Sequence, residues 1–197
     1  MEPGQLIGAA RKRGLDGVCV TDHYAIEGAN VTQALGRKVG FPVFRGVEAR
    51  TDFGDMLVFG YYQDIPEGIS LHDLCWYVHE AGGLVFAAHP FHLVGGPSLA
   101  LQFRQRGWVL SDDWERVPIL RELDGIETVN GQVGPDANAR ASSLARRLEM
   151  PDIGGSDAHA PDMVGTAATH FPQTVASDAD LVASLRQGGY SAVRLVD

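Results

Sequence analysis

Short continuous apolar runs alternate with amphipathic helical stretches along this chain, and that alternation limits the folds open to it. Residues 17–22, 42–48 and 84–88 are too short and too uniformly apolar for helices, and read as buried strands. Helical patterns lie between them: residues 3–13, with Leu6, Ile7 and Ala10 on one face and Gly14 as a stop, and residues 29–39, closed by Gly40. Ser70 is placed to cap a helix running to Ala81, ahead of Gly82-Gly83. Strand character returns at 124–130 and 153–157, and weakly at 169–171. Helices are expected over 135–148 and from a cap at Asp178 to Gln187. One neighbouring pair has a tight connection: residues 55–61 pair with 42–48 across the 51–54 turn. The other strands are separated by helices and need right-handed crossovers, so the class is α/β, as a barrel or an open sheet. Residues 92–120, with Gly95-Gly96-Pro97 and two tryptophans, read as a long excursion with some helix.

The 197 residues suit a single domain over 1–197, since one core grows to roughly 250 residues before chains divide. Sixteen Lys+Arg against 25 Asp+Glu leave a net charge of −9, which disfavours nucleic acid or anionic lipid as a main partner. Cys19 and Cys75 each sit in an apolar run and are expected to be reduced core residues, which suits a cytoplasmic location. The apolar stretch 6–10 is short, and its basic residues follow rather than precede it, so no signal peptide is expected. No window approaches a membrane span.

The chemistry collects at strand ends. Successive strands finish on Thr21-Asp22-His23, Gly46-Val47-Glu48, Ala88-His89-Pro90 and Ser156-Asp157-Ala158-His159. Parallel strands present their carboxyl ends on one side of an α/β fold, where such folds place their sites. Three imidazoles and two carboxylates meeting there form a mixed N/O set suited to Zn²⁺, Mn²⁺ or Fe²⁺, and Glu48 could bridge two ions. A lone histidine at a strand end is ordinarily just a polar loop residue; four coincident strand ends weaken that explanation. His72 and His79 belong to a polar helix face; His92, three past His89, could approach the site but is read as a surface-loop residue; His170 is undecided. No GxGxxG, P-loop or GxSxG pattern occurs, which argues against a nucleotide fold of those types and against a serine hydrolase.

The order TDH, GVE, AHPF and GSDAH resembles the PHP family, named for polymerase and histidinol phosphatase, over nearly the whole chain. The resemblance implies a distorted seven-stranded β/α barrel, TIM-like in outline, with two or three divalent metal ions at the strand carboxyl ends. It also implies metal-dependent phosphoesterase activity through metal-activated water. Carried over by motif, His23, Glu48, His89, Asp157 and His159 would be metal ligands, with Glu48, Asp157 and His159 closest to the chemistry and Glu48 bridging. Asp22 would orient the ligands. Arg45 and Arg50 flank the Glu48 strand end and are candidates to bind the substrate phosphate. The chain departs from the family pattern in two respects: relatives open on a strand bearing HxH, and no HxH occurs here, so the first strand is expected to be missing; and many relatives carry a His on the strand after GVE, where residues 55–61 have none. Two explanations compete, a shortened form of a complete enzyme and a metal-binding or regulatory domain without turnover. A structural metal site that only staples loops is a third reading, disfavoured because such sites are usually closed and rich in Cys. The expected substrate is a small phosphorylated metabolite or a nucleotide.

Overall fold

The computed structural model describes residues 1–93, 98–107 and 117–195. In chain order the elements are α1 (Pro3–Lys12), β1 (Val18–Val20), α2 (Glu27–Val39), β2 (Val43–Thr51), β3 (Gly54–Phe59), α3 (Leu71–Glu80), β4 (Leu84–Ala87) and α4 (Leu99–Gln105). A 3-10 turn at Pro118–Glu122 precedes β5 (Gly125–Asn130), α5 (Pro135–Leu148), β6 (Asp152–Gly155), β7 (Ala167–His170), α6 (Asp178–Gln187) and β8 (Ser191–Arg194).

Six strands form one sheet in the order β1-β2-β3-β4-β5-β6, and β7 and β8 form a separate antiparallel hairpin. The parallel pairs are β1–β2, β4–β5 and β5–β6; β3 runs antiparallel to both its neighbours. Five strands therefore share one direction, and β3 alone presents its amino end on the edge where the others present their carboxyl ends. Among the described residues the sheet has six strands and curls into a half-barrel, an α/β arrangement short of the full seven-strand count and without the HxH strand expected to be missing.

Strand alternation divides the side chains between two cores. Val43, Val47, Met56, Val58, Val85, Ala87 and Ile126 pack with the apolar faces of α1, α2, α3 and α5. The opposite face carries Phe44, Phe59, Leu84, Phe86 and Ile153, covered by Leu181 and Leu185 of α6. Phe59 and Phe86 meet edge to face with centroids 5.8 Å apart, a favoured aromatic arrangement. The helix ends follow their sequence signals: Ser70, Ser98 and Ser177 each accept a backbone N–H of the first turn, and Gly40 closes α2 in the left-handed region.

Several expectations are corrected. The cap of α6 is Ser177, because Asp178 is turned toward β2. Cys75 is buried as expected, but Cys19 is exposed, since alternation within edge strand β1 turns it opposite to Val20. Strand β8 had no counterpart in the sequence reading. Within the excursion, α4 and the 3-10 turn are the helical parts; Gly95-Gly96-Pro97 and both tryptophans, Trp108 and Trp114, lie outside the described residues.

Candidate metal centre at the carboxyl edge of the sheet

Glu48, on the upper part of β2, is the hub. Beyond β1, Asp22 and His23 continue alongside β2: Glu48 N–H donates to Asp22 O at 3.0 Å, and Tyr24 N–H donates to Glu48 O at 3.0 Å. This bridge sets His23 next to Glu48, with Nδ1 3.7 Å from Oε2. The other carboxylate oxygen faces a different imidazole: His89 Nε2 donates to Glu48 Oε1 at 3.0 Å. Glu48 and His89 are each only 8% exposed. Alternation continued from Phe86 would send His89 to the opposite face of the sheet. The strand instead ends at Ala87, and His89, with a φ of 26°, leaves the extended path and turns its ring to Glu48.

The sequence reading missed Asp55. It lies at the start of β3, and because β3 is antiparallel that start falls on the functional edge. Asp55 is 3% exposed, and its carboxylate, that of Glu48 and the His89 ring bring donor atoms within 4.8 Å of one another. Arg50 Nε donates to Asp55 Oδ1 at 3.0 Å, which places this arginine on the rim of the cluster. Arg45 is placed elsewhere. Its guanidinium donates to Asp178 at 2.8 Å and Asn30 at 2.9 Å and stacks over Tyr62, pinning α6 and α2 to β2.

A second group missed in sequence lies on β5. Glu127 and Asn130 are 3% and 1% exposed. Glu127 Oε2 accepts the His89 N–H at 2.8 Å and Asn130 Nδ2 at 3.0 Å, and Asn130 Nδ2 also lies 3.4 Å from Asp157 Oδ2. A polar residue inside the run Gly125–Asn130 was the available signal. Asp157 follows β6 with a φ of 50°. His159 is near it, Nδ1 3.8 Å from Asp157 Oδ1, but its side chain is 72% exposed and its ring nitrogen bonds Asp157 O. Asp22 points away from the cluster, packing on the first turn of α2; a β-carbon at Gly28 would collide with its Oδ2. Of the two places open to His92, the structure gives the one near the site, its ring sitting 5.5 Å from that of His89. His72 and His79 are exposed as expected, each paired with an acidic side chain.

The electrostatics are those of a carboxylate-rich pocket. Burial opposes charge on His89, but the Glu48 hydrogen bond and the nearby Glu127, Glu48 and Asp157 raise it to about 9. Burial pushes Glu127 up to about 7 against the pull of His89 and its hydrogen bonds. Burial also raises Asp55, against its hydrogen bond from Arg50. Buried His89 Nδ1 has no hydrogen-bond partner among the described residues. Buried carboxylates in excess over nearby cations, joined to an imidazole from another strand, fit a divalent cation.

Residues 135–190 match the family model described as PHP-associated, a span that includes Asp157 and His159. An uncharacterized protein of Methanocaldococcus jannaschii is 34% identical over 90 residues, 46% of this chain and 53% of that relative. The chain thus spans about half the length of this curated relative. A protein from Bifidobacterium adolescentis, provisionally named a metal-dependent phosphoesterase, superposes with a TM-score of 0.62 at 19% identity, over 94% of this chain and 91% of its own. Endonuclease Q, solved in complex with a 27-mer duplex carrying an abasic lesion, superposes with a TM-score of 0.65 at 13% identity, over 95% of this chain and 52% of its own. At these identities the likeness is one of fold. No described helix is long and apolar enough to cross a membrane.

Proposed function

The resemblance to the PHP family extends to a matching C-terminal segment and to the fold, and from that premise we propose that this protein is a metal-dependent phosphoesterase acting on a small phosphorylated metabolite or a nucleotide. The observation that carries the reading is the convergence of Glu48, Asp55 and His89, three buried donors from β2, β3 and the end of β4. A divalent ion bound there would neutralise phosphate oxygens and lower the pKa of a water molecule. Glu48 directs its two oxygens at two imidazoles, an arrangement suited to bridging an ion on the His89 side and another on the His23 side. Asp157 and His159 border the same edge and would complete the ligand set, which accords with two or three ions. Arg50, on the rim beside Asp55, would orient a substrate phosphate. Arg45, bonded to Asp178, serves the fold instead. Asp22 acts through its backbone, holding His23 in register with Glu48.

The charge of −9 favours a small substrate over a polynucleotide. Nucleic-acid ends are the second class to test, given the fold shared with Endonuclease Q. A second reading is metal binding without turnover. The test is hydrolysis of an aryl phosphate monoester and diester panel by the purified chain with Mn²⁺, Zn²⁺ or Fe²⁺. Hydrolysis is expected to need metal and to vanish in Glu48→Ala and His89→Ala. Hydrolysis that persists in chelator would contradict the proposal, and tight metal binding without hydrolysis of any probe would favour the second reading.

A further inference from the structure

Glu127 and Asn130 do not belong to the three-donor group, yet they are among the most buried polar residues of the sheet. Their hydrogen bonds run in one connected line. Glu127 Oε2 receives two donors, the backbone N–H of His89 at 2.8 Å and Asn130 Nδ2 at 3.0 Å; Asn130 Nδ2 in turn lies 3.4 Å from Asp157 Oδ2. Asn130 is fixed from its other side, because Asn138 Oδ1 of α5 accepts its N–H at 3.1 Å and Asn138 Nδ2 donates to its carbonyl at 3.0 Å. Space is kept for the Glu127 carboxylate on β6, where a β-carbon at Gly155 would come within 2.8 Å of Oε1.

The residues at the two ends of this line are two of the four described non-glycine residues with positive φ, Tyr24 and Glu149 being the others. His89 and Asp157 have φ values of 26° and 50°, in a region a non-glycine residue keeps only where its surroundings hold it there. His89 also precedes Pro90, which narrows its backbone choices further. The bond from His89 N–H to Glu127 restrains that backbone conformation directly, while the Glu48 hydrogen bond holds the ring at its other end.

We propose that Glu127 and Asn130 are positioning residues that join the His89 and Asp157 arms of the centre into one preorganised unit. The proposal rests on the metal-centre reading above and deepens it. Neither residue coordinates an ion; Glu127 acts as the acceptor that fixes the His89 backbone, and Asn130 as the donor that sets the Asp157 carboxylate. Loss of such supporting hydrogen bonds typically costs a metal site 10–100-fold in affinity.

The test is Co²⁺ titration of the metal-free full chain, read as dissociation constant and visible absorption band, with circular dichroism to confirm folding. Glu127→Ala and Asn130→Ala should each weaken Co²⁺ by about 10–100-fold and alter the band. Glu127→Gln keeps an oxygen able to accept both donors and should stay within about threefold of the parent. Asn130→Ala and Asp157→Ala should be non-additive when combined, since one acts through the other. Glu127→Gln as damaging as Glu127→Ala would show that the carboxylate charge or direct ligation matters, and would overturn the positioning role. Additive effects of Asn130→Ala and Asp157→Ala would overturn the coupling of the two arms. Should Glu127→Ala fail to fold, the Gln variant and the Asn130–Asp157 cycle still decide the matter. A parent chain that binds no Co²⁺ would defeat the metal-centre reading and this proposal together; a parent that binds, with variants indistinguishable from it, would defeat this proposal alone.

Discussion

The face of the sheet beneath α6 carries two unlike surfaces a few residues apart on the same strands. Toward the lower end of β2 it is apolar, with Phe44, Phe59, Leu84 and Phe86 packed under Leu181 and Leu185. At the opposite edge Glu48, Asp55, His89 and Glu127 are buried to a similar degree and are all ionisable. Burial therefore does not separate fold from function in this molecule; the kind of bonding does. The aromatic half stabilises through area and shape, and asks nothing of its neighbours beyond close packing. The ionisable half is tolerable only while each charge has a partner, and an unpaired member costs more than the pair contributes. Stability belongs to the first surface, and on the proposed function the second would hold the cation.

Substitutions on the two surfaces should separate these properties. The largest effect is expected for Glu48→Ala, which removes the hub facing both His23 and His89; metal affinity should fall by at least about 100-fold, measured by calorimetric titration. Retained affinity would dissolve the contrast. Phe86→Ala should do the reverse, lowering unfolding free energy by about 3–5 kcal/mol in denaturant titrations while the folded fraction still binds metal.

A pH dependence follows from the same division. Folding raises His89 from 6.5 to about 9, so its protonated ring stabilises the metal-free protein fully below pH 6.5, and that contribution is lost as pH rises toward 9. Glu127, raised from 4.5 to about 7, adds a decline of the same sign beginning at lower pH. The His89 part amounts to roughly 3 kcal/mol. Melting curves between pH 6 and 9.5 should fall in chelator and flatten in saturating metal; a flat metal-free profile would contradict this. His159→Ala should weaken metal less than Glu48→Ala does, because its side chain is largely solvated and its ring is held by the Asp157 carbonyl. The smallest effect is expected for His72→Ala, an exposed partner of Glu122. It should change stability by less than about 0.5 kcal/mol and leave metal binding untouched.

What could be seen in the sequence was local. The strand-end histidines and carboxylates were legible because apolar runs stop on them, and His23, Glu48, His89 and Asp157 do come to one edge. Asp55 was invisible to that rule, since an antiparallel strand brings its beginning to the edge where parallel strands bring their ends. Arg45 looked adjacent to Glu48 in sequence, but three residues of extended strand carry it toward Asp178 at the base of α6. Glu127 and Asn130 lie within a strand, and their role depends on partners 38 and 27 residues away. The exposure of Cys19 depends on β1 lying at the sheet edge, a fact of topology rather than of the apolar run around it.

The most direct test of the central claim is metal content and affinity measured on the metal-free chain reloaded with Mn²⁺ or Zn²⁺, in parallel with Glu48→Ala. At least one ion per parent chain, lost in the variant while its circular dichroism is unchanged, is the predicted result. A parent chain that takes up no ion, or a variant that binds as well as the parent, would show that the buried carboxylates and His89 serve the fold alone.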